Sequence, residues 1–447
     1  MGRRGPPVGQ NGRVTRAESP AADVVLRGEV VTPTEVVPDG AVVLSEGRIA
    51  WVGPAAQLPG TWADDLPTDP APGTTLLPGL VDLHDHGGGG ASFPDATTRE
   101  DALVAAREHL RHGTTSLVAS LVTAPRDVLL SRAALLADLV ESGDLVGIHA
   151  EGPFLSVDRC GAQNPADMLA GDPGLVVDLA AAARGHLVTM TVAPEVPGVA
   201  DGHGGADGPG TGGDDVLAAL VRSGAVPSVG HTDASSEQVD AAVARTRALL
   251  SGGRRSAAAG GGGGRGRSPR PTATHLFNGM RPLHHRDPGP IAACLAAAAR
   301  GDLVVELVAD GTHLADGTVR AVFDLVGPGS IALVTDAMAA AGMADGDYRL
   351  GPMAVRVGDG VARVLEDDGT AGAIAGGTAH LLDVVRTVVA SGIGIVAAVR
   401  AAATTPAEVL GRSDLGALAV GRRGDVVVTD EDLAPVAVYR AGRLVTD

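Results

Sequence analysis

Short aliphatic runs, broken by glycine and proline, lie near both ends of the chain. They occur at 23–26, 40–44 and 47–53 in the N-terminal part and at 424–430 and 436–445 in the C-terminal part. Runs of this kind, bounded by turn residues, are typical of short strands. We therefore expect the two β-rich ends to pair into one small β domain.

Between the two ends, apolar strand-like runs alternate with alanine- and leucine-rich stretches typical of helices. Buried parallel strands connected by helices have this pattern. The expected strands are 75–83, 115–121, 145–150, 187–193, 225–230, 272–274, 303–309 and 331–335. Eight such repeats over about 260 residues favour an α/β fold of the (β/α)8, TIM-like type. An open doubly wound sheet would instead favour a glycine-rich phosphate turn after an early strand, and the nearest candidate, 87–90, follows two histidines.

The pattern divides the chain into a barrel and flanking parts. The expected organisation is a disordered tail (1–22), a composite small β-sandwich domain (23–78 and 404–447), a catalytic barrel (79–403), flexible low-complexity insertions (201–214 and 251–270) and a hairpin after the eighth strand (348–365). The second insertion is rich in glycine and arginine, so it is either a solvated loop or an arginine lid over an anionic substrate.

Charge and composition narrow the function. The formal net charge of −18 disfavours nucleic acid or an anionic membrane as the main partner. Two cysteines, Cys160 and Cys294, are too few for a disulfide framework, and neither a secretion signal nor an apolar run of spanning length is present. We therefore expect a cytoplasmic protein.

Side chains suited to metal binding or proton transfer fall at the C-terminal ends of the expected strands. They are His84 and His86 after the first strand, Glu151 after the third, His231 after the fifth, His275 after the sixth and Asp336 after the eighth. In a parallel barrel these ends form the active-site face. The set therefore predicts a divalent-metal hydrolase.

The absence of lysine from the sequence excludes the carboxylated lysine that bridges two metals in many barrel hydrolases. Glu151 is then the natural anionic ligand, with His231 and His275 completing one site. His84 and His86 lie two residues apart on one side of a strand and are candidates for a second ion. A His/Glu set suits zinc, iron or cobalt, with one or two ions per subunit.

Such a metal lowers the pKa of water and polarises an amide carbonyl. Asp336 is the candidate acid/base that takes the proton from water and returns it to the amine, although an aspartate before Ala-Met-Ala-Ala also suits a helix N-cap. His313 is expected to contact the carbonyl oxygen, or else to make a loop hydrogen bond. Arg286 offers a fixed guanidinium donor fork that suits an anionic ligand, with a surface salt bridge to Asp287 or another carboxylate as the alternative.

The remaining polar residues of this region are assigned simpler roles. His149 is expected to be a hydrogen-bonded core histidine, and Glu195 to support a neighbouring ligand. Cys160 lies near the expected substrate but has no catalytic partner in the sequence. Solvated positions are expected for His109, His112, His186, His203 and His380.

Eight strings occur in order along the chain: Pro78-Gly79-Leu80-Val81-Asp82, His84-Asp85-His86-Gly87-Gly88-Gly89, His149-Ala150-Glu151-Gly152-Pro153-Phe154, Ala193-Pro194-Glu195, Gly230-His231-Thr232, Thr274-His275-Leu276-Phe277-Asn278-Gly279-Met280, Asp310-Gly311-Thr312-His313 and Thr335-Asp336-Ala337-Met338. This combination resembles the N-acetylglucosamine-6-phosphate deacetylases of the amidohydrolase superfamily, from about Asp23 to Asp447. The third and sixth strings are the most specific.

The resemblance implies roles residue by residue. It makes Glu151, His231 and His275 the primary metal ligands, His84 and His86 the extra pair of two-metal members, Asp336 the acid/base and His313 a substrate contact. It implies a sugar-phosphate site lined by Ala162, Asn278, Gly279, Arg286, His313, Ala375, Gly376 and Gly377. Gln163 departs from relatives that have a phosphate-binding histidine there. The resemblance also suggests a homodimer.

The expected function is metal-dependent removal of the N-acetyl group from N-acetyl-D-glucosamine 6-phosphate, giving glucosamine 6-phosphate and acetate in amino-sugar catabolism and cell-wall recycling. The alternatives are a deacetylase of N-acetylgalactosamine 6-phosphate, a ring-opening amidohydrolase, which the missing lysine disfavours, and a non-catalytic sugar-phosphate-binding regulator. Each takes a small amino-sugar phosphate or amide rather than nucleic acid or membrane.

Overall fold

The computed structural model describes Met1 and residues 22–68, 70–201, 215–259, 267–366 and 368–446. Its strands are β1 (Val24–Val31), β2 (Val36–Ser45), β3 (Arg48–Pro54), β4 (Thr75–Pro78), β5 (Leu80–Asp85), β6 (Gly87–Gly88), β7 (Ala91–Ser92), β8 (Thr114–Leu121), β9 (Gly147–Glu151), β10 (Leu187–Val192), β11 (Val226–Val229), β12 (Thr272–Ala273), β13 (Val304–Leu307), β14 (Ile331–Leu333), β15 (Gly346–Leu350), β16 (Met353–Gly358), β17 (Val361–Leu365), β18 (Ala371–Ile374), β19 (Val426–Thr429), β20 (Pro435–Arg440) and β21 (Arg443–Leu444).

The helices alternate with the central strands. They are α1 (Gly60–Ala63), α2 (Arg99–Arg111), α3 (Arg126–Glu141), α4 (Pro173–Ala182), α5 (Val216–Arg222), α6 (Ser236–Ala259), α7 (Gly289–Ala299), α8 (Asp316–Val326), α9 (Leu381–Ala390), α10 (Ile395–Val399) and α11 (Thr405–Val409), with a π-helical turn, Arg400–Thr404, between the last two. Among the described helices, none is long and apolar enough to cross a membrane.

Eight parallel strands form the barrel, in the order β5-β8-β9-β10-β11-β12-β13-β14. The seam between β5 and β14 is narrowed by two backbone hydrogen bonds just beyond the strand ends. The amide of His86 donates to Ala337 O at 2.7 Å, and the amide of Asp336 donates to His84 O at 2.9 Å. The predicted (β/α)8 barrel is confirmed, and its closure brings the first and eighth strand ends together.

A seven-stranded sheet, ordered β21-β20-β19-β4-β1-β2-β3, takes strands from both chain ends. Its buried side includes Val30, Val42, Leu76 and Val426. The predicted β domain built from the two ends is confirmed. The boundary expected at 404 remains a prediction, because α11 contacts the barrel strands β5 and β14.

The first predicted strand, 75–83, was expected to be continuous, and the structure corrects this. β4 pairs with β1 and β19 in the terminal sheet, whereas β5 pairs with β8 in the barrel. Gly79 separates them, and a Cβ at this position would lie 2.2 Å from Thr115 Oγ1. The chain therefore crosses between the two sheets at a point where only glycine fits.

An antiparallel four-stranded sheet, β15 to β18, follows the eighth barrel strand. The predicted hairpin at 348–365 covers the end of β15 and all of β16 and β17, and the sheet adds β18 beyond it. The tip between β15 and β16 places Leu350 and Gly351 next to the barrel rim, where Gly351 is close to Val122. This sheet supplies one wall of the cavity described below.

The flexible insertions fall largely outside the described residues. The tail at 2–21, residues 202–214 and residues 260–266 are not described. Residues 251–259, expected to belong to a loop, instead continue helix α6 to Ala259. After the gap, the Arg267 side chain donates to Leu187 O at 2.5 Å.

Candidate active site

A cavity of about 220 Å³ opens at the C-terminal ends of the barrel strands. Its lining residues are His86, Glu151, Gly161, Ala162, Gln163, His231, His275, Asn278, Gly279, His313, Asp336, Leu350, Ala373, Ile374, Ala375 and Gly376. The structure therefore brings eleven of the fourteen predicted site residues to one cavity. His84 and Gly377 are not among the lining residues, and both contact residues that are.

Glu151 ends β9 and lies at the centre of the first cluster. Its Oε1 atom is 2.9 Å from His231 Nε2 and 2.7 Å from His275 Nε2. All three side chains are buried. Glu151 ends β9, whereas His231 and His275 follow β11 and β12, so the barrel rather than local sequence brings their side-chain atoms together.

His84, His86 and Asp336 form the second cluster. The Nε2 atoms of the two histidines are 3.0 Å apart, and Asp336 Oδ1 lies 3.4 Å from that of His84 and 3.3 Å from that of His86. The second oxygen of Glu151, Oε2, is 3.1 Å from His86 Nε2. Glu151 therefore presents one oxygen to each cluster, as a bridging carboxylate does.

The imidazole orientations indicate that a cation belongs here. His86 Nδ1 is 3.2 Å from Ser120 O, and His231 Nδ1 is 2.7 Å from Arg159 O. A carbonyl only accepts, so each Nδ1 carries the hydrogen and the neutral ring has a bare lone pair on Nε2. That lone pair faces a carboxylate oxygen of Glu151, which is unfavourable unless a proton or metal ion lies between them. The donor set therefore fits a divalent cation.

The electrostatics of the two clusters agree with this. Burial lowers the pKa of His86, but hydrogen bonds to Asp336 and Glu151 outweigh burial and raise it to about 9. Burial raises the pKa of Glu151, whereas the neighbouring His231 and His84 bring it well below its usual range. The buried Asp336 carboxyl likewise has a lowered pKa because of His84 and His86. The site keeps its carboxylates ionised and favours positive charge between them.

Asp336 is held by its backbone rather than as a helix cap. Its φ is +47°, and residues 337–345 form no helix. Gly377 N donates to Asp336 O at 2.6 Å, and a Cβ on Gly376 would lie 2.7 Å from the same oxygen. The N-cap alternative for Asp336 is therefore wrong, and the 375–377 turn supports this residue directly.

The loop after β12 positions both a ligand and part of the cavity wall. His275 has φ +27° and Phe277 has φ +84°, conformations that side chains rarely adopt. Gly279 has φ +59°, and a Cβ there would lie 2.7 Å from His231 Nδ1. Glycine at this position leaves room for the ligand histidine.

His313 reaches the cavity from the loop after β13. Its Nδ1 is 2.8 Å from Asp310 Oδ2, and its amide donates to Asp310 Oδ1 at 2.8 Å. Burial lowers the pKa of His313, but Asp310 outweighs this and raises it. A charged His313 with Nδ1 on Asp310 has an Nε2–H free to donate to substrate.

The structure does not place Arg286 at this cavity. It lies in an exposed turn, and its amide is 3.3 Å from His284 Nδ1. The salt bridge to Asp287 proposed as its alternative is made by Arg281, at 3.1 Å. A role for Arg286 in phosphate binding therefore remains a prediction that this chain's own cavity does not support.

Gln163, Glu306, Leu350 and Ile374 are site features that the sequence did not reveal in these roles. Gln163 donates to Glu151 Oε2 at 2.6 Å and accepts from Thr123 N at 2.8 Å, so it holds a ligand. The sequence signal for Glu306 was a lone charge in the apolar strand β13. Leu350 and Ile374 come from the four-stranded sheet, which no strand-end argument locates.

Among the other histidines, one expectation is confirmed and two are corrected, whereas His203 lies outside the described residues. His149 is buried, with Ser120 Oγ 3.0 Å from Nδ1 and Thr191 Oγ1 2.8 Å from Nε2, so it is a hydrogen-bonded core histidine. His109 and His380 were expected in solvent and are instead buried. His380 Nε2 contacts Glu108 at 3.0 Å.

Glu195 supports the turn after His231. It accepts from the Thr232 hydroxyl and from the Asp233 amide, each at 2.6 Å. This turn follows His231, whose φ is +44°, so the carboxylate offsets part of the backbone strain. The support expected for this residue is therefore present.

A parallel barrel with converging histidines and carboxylates at its C-terminal end defines a metal-dependent hydrolase of the amidohydrolase class. The model of the amidohydrolase family matches residues 75–202. The chain belongs, more narrowly, to the N-acetylglucosamine-6-phosphate deacetylase family. It is 30% identical to the deacetylase from Lysinibacillus sphaericus over 90% of this chain and 92% of that protein.

A solved structure and a further sequence relative are also similar to the chain over most of its length. The N-acetyl-D-glucosamine-6-phosphate deacetylase from Mycobacterium smegmatis, a mutant in complex with N-acetyl-D-glucosamine-6-phosphate, has a TM-score of 0.79 and 38% identity, covering 96% of this chain and 100% of that chain. An N-acetylgalactosamine-6-phosphate deacetylase from Shewanella is 28% identical over 93% of this chain and 94% of that protein.

Proposed function

We propose that the chain hydrolyses N-acetyl-D-glucosamine 6-phosphate to D-glucosamine 6-phosphate and acetate, in amino-sugar catabolism and cell-wall recycling. The observation that carries this proposal is the Asp336 carboxylate, 3.3 Å from His86 Nε2 inside a cavity that also contains Glu151. An acid/base group and a cation site lie together there, which amide hydrolysis requires.

We assign Glu151, His231 and His275 to one divalent ion, and His84 with His86 to a second. Zinc, iron and cobalt all suit this His/Glu set. An ion held there lowers the pKa of water and polarises an amide carbonyl. The geometry that supports two positions is the separation of the Glu151 oxygens, since Oε1 faces His231 and Oε2 faces His86.

The chain's own groups move the protons. Asp336 takes a proton from the attacking water, and its lowered pKa keeps it ionised and ready to accept. It then returns that proton to the departing amine, a poor leaving group without protonation. His313 donates from Nε2 to the carbonyl oxygen as negative charge develops, held in place by Asp310.

The sugar phosphate occupies the rest of the cavity. Ala162, Asn278 and Gly279 are among its lining residues, and so are Ala375 and Gly376 of the 375–377 turn. Backbone amides in these loops suit hydroxyl and phosphate oxygens.

We further propose a homodimer in the cytoplasm. Both cysteines, Cys160 and Cys294, are free, which agrees with a reducing compartment. Dimerisation follows from the family resemblance. Size-exclusion chromatography with light scattering tests it, and a monomer at the working concentration contradicts it.

Acetate release tests the reaction. We expect purified protein to release acetate from N-acetylglucosamine 6-phosphate and far less from unphosphorylated N-acetylglucosamine. Activity should be lost on chelation and return with a divalent ion. Equal rates on both sugars contradict the phosphate contacts, and resistance to chelation contradicts the metal assignment.

A second candidate substrate is N-acetylgalactosamine 6-phosphate, favoured by the similarity to the Shewanella enzyme. The two epimers are compared by kcat/KM in the same assay. A higher value for the galacto epimer replaces the proposed substrate. Tight binding of either sugar phosphate without acetate release supports the non-catalytic regulator instead.

A further inference from the structure

Glu306 is a carboxylate within the barrel wall. It lies in β13, where the other residues, Val304, Val305 and Leu307, are apolar, and it is 2% exposed. A buried carboxylate is costly unless charged or hydrogen-bonding partners compensate it. The Glu306 carboxylate therefore needs a hydrogen-bonding or charged partner inside the barrel wall.

Its partners belong to the two clusters of the candidate active site. Glu306 Oε2 lies 3.3 Å from His84 Nδ1 and accepts from the His275 amide at 3.4 Å. His84 belongs to one cluster and His275 to the other. A single carboxylate oxygen therefore contacts one residue of each cluster.

His84 depends on this contact more than His86 and His231 do on theirs. The Nδ1 atoms of His86 and His231 meet backbone carbonyls, which substitution does not remove. His84 Nδ1 meets a side chain instead. The His84 ring is also fully buried, with the His149 ring edge-on at 4.4 Å.

We propose that Glu306 is a positioning residue that holds His84 with its hydrogen on Nδ1 and its Nε2 lone pair directed at the His84–His86–Asp336 cluster. Through the His275 amide it also holds the residue whose φ is +27°. Glu306 lies outside the cavity lining and touches neither water nor substrate in this scheme. The proposal rests on the metal assignment under the proposed function.

Chemically, a carboxylate on Nδ1 does two things that a carbonyl does less well. It fixes the tautomer, and its negative charge makes the imidazole a stronger ligand. Such outer partners are typically worth about 10- to 100-fold in metal affinity. The effect should fall mainly on the ion held by His84 and His86.

The test compares Glu306→Leu, which removes the acceptor, with Glu306→Gln, which keeps a neutral acceptor of the same shape. Asp215→Asn is the matched control, because Asp215 is also a buried carboxylate, pairs with Arg245 at 2.8 Å, and lies outside the cavity lining and the candidate metal clusters of the described residues. Zn²⁺ affinity and stoichiometry are measured on full-length protein by dialysis against buffered Zn²⁺. The visible spectrum of the Co²⁺-loaded protein reports ligand geometry.

We expect Glu306→Leu to weaken one Zn²⁺ site by about 10- to 100-fold and to change the Co²⁺ spectrum, Glu306→Gln to weaken it less, and Asp215→Asn to match wild type. Wild-type Zn²⁺ affinity in Glu306→Leu overturns the proposal. If the leucine variant does not fold, Glu306→Gln decides: a weakened site with an altered Co²⁺ spectrum supports the proposal, and unchanged values overturn it.

Failure of the proposed function is recognisable separately. Wild-type protein that binds Zn²⁺ but releases no acetate removes the deacetylase assignment and leaves the Glu306 comparison intact. Wild-type protein that binds no Zn²⁺ removes the metal assignment and overturns both.

Discussion

Asp336 combines a strained backbone with a carboxylate that lies among the side chains of His84, His86 and His275. Its φ of +47° is fixed by the 375–377 turn and by the hydrogen bond to His84 O. Strain of this kind persists only where the surroundings impose it, and it occurs frequently at active sites. The carboxylate position is therefore set before substrate arrives.

Substitution of Asp336 by asparagine keeps the shape and removes the base. We expect kcat to fall by about 10³-fold with a much smaller change in KM, because proton transfer contributes roughly 10²- to 10⁴-fold. Steady-state kinetics measure the effect. Metal content is determined on the same preparation, since Asp336 also neighbours His84 and His86. Near wild-type kcat in a metal-loaded variant removes Asp336 from proton transfer.

Asp310 controls the charge of His313. Its carboxylate raises the pKa of His313 against the opposing effect of burial, so His313 stays protonated to higher pH than an isolated histidine. If the protonated form donates to the carbonyl, activity is present below this pKa and lost as pH rises through it. Asp310→Asn removes the charge and should move the alkaline limb of kcat/KM to lower pH.

The control for this prediction is Asp316→Asn, an exposed aspartate three residues beyond His313. Its pH profile should coincide with that of wild type. An unchanged alkaline limb in Asp310→Asn means that another group is responsible for it.

For individual residues, the sequence predicted a place in the site wherever a side chain directly follows a parallel strand. Glu151, His231 and His275 were predicted because strand ends converge in any such barrel. Glu306 was missed because it lies inside a strand, where burial rather than position had to be known. The contact of Gln163 with Glu151 depends on a loop path that no periodicity encodes.

Loops rather than strands carry the close approaches in this site. The turn after β12 folds back on His231, and Gly279 has both a left-handed φ and no space for a side chain. A glycine with the first property alone is replaceable at modest cost, about 1 kcal/mol. The lack of space for a Cβ makes glycine necessary at position 279, because any side chain there would collide with the His231 ring.

Gly279→Ala should therefore displace His231 and weaken Zn²⁺ binding by roughly tenfold or more, as loss of ligand support does elsewhere. Gly301→Ala is the matched control, because Gly301 has φ +75° and nothing within 4 Å of an added Cβ. Both variants pay the backbone cost, and only the first should lose metal. Equal Zn²⁺ affinities, measured by dialysis, contradict the steric assignment.

The bounds of several strands and helices could not be predicted from hydrophobic periodicity. The run 75–83 is apolar throughout, so its sequence gave no reason to divide it, although β4 and β5 belong to different sheets. α6 continues to Ala259 because alanine and arginine favour helix after the Gly252–Gly253 pair. The hairpin was visible as alternation, whereas its neighbours β15 and β18 are short and half-exposed.

The terminal sheet and the barrel are joined by a buried polar network. Asp425, before β19, accepts from the Thr115 hydroxyl of β8 at 2.9 Å and also pairs with Arg423. Arg423 in turn donates to Ser116 Oγ at 2.7 Å. Sequence predicted that the chain ends pair with each other, but not this attachment, because it joins two neighbouring residues of β8 to Arg423 and Asp425, which are 307 to 310 positions away in the chain.

This network should make the two parts unfold together. Asp425→Ala leaves Thr115 and Arg423 without their buried acceptor, so we expect a loss of about 2–4 kcal/mol in the free energy of unfolding. The exposed pair Asp347–Arg356 is the matched control, and Asp347→Ala should leave stability unchanged within error, because exposed pairs are screened by water.

Urea unfolding followed by tryptophan fluorescence and circular dichroism distinguishes the outcomes. Trp51 and Trp62 lie in the N-terminal part of the chain, so fluorescence follows that part, whereas helical ellipticity follows the barrel. A single shifted transition seen by both probes supports a joined unit. If the two probes separate in wild type, the attachment through Asp425 does not couple the parts. If the two transitions separate only in Asp425→Ala, the Asp425 carboxylate couples the seven-stranded terminal sheet to the barrel that carries the catalytic residues.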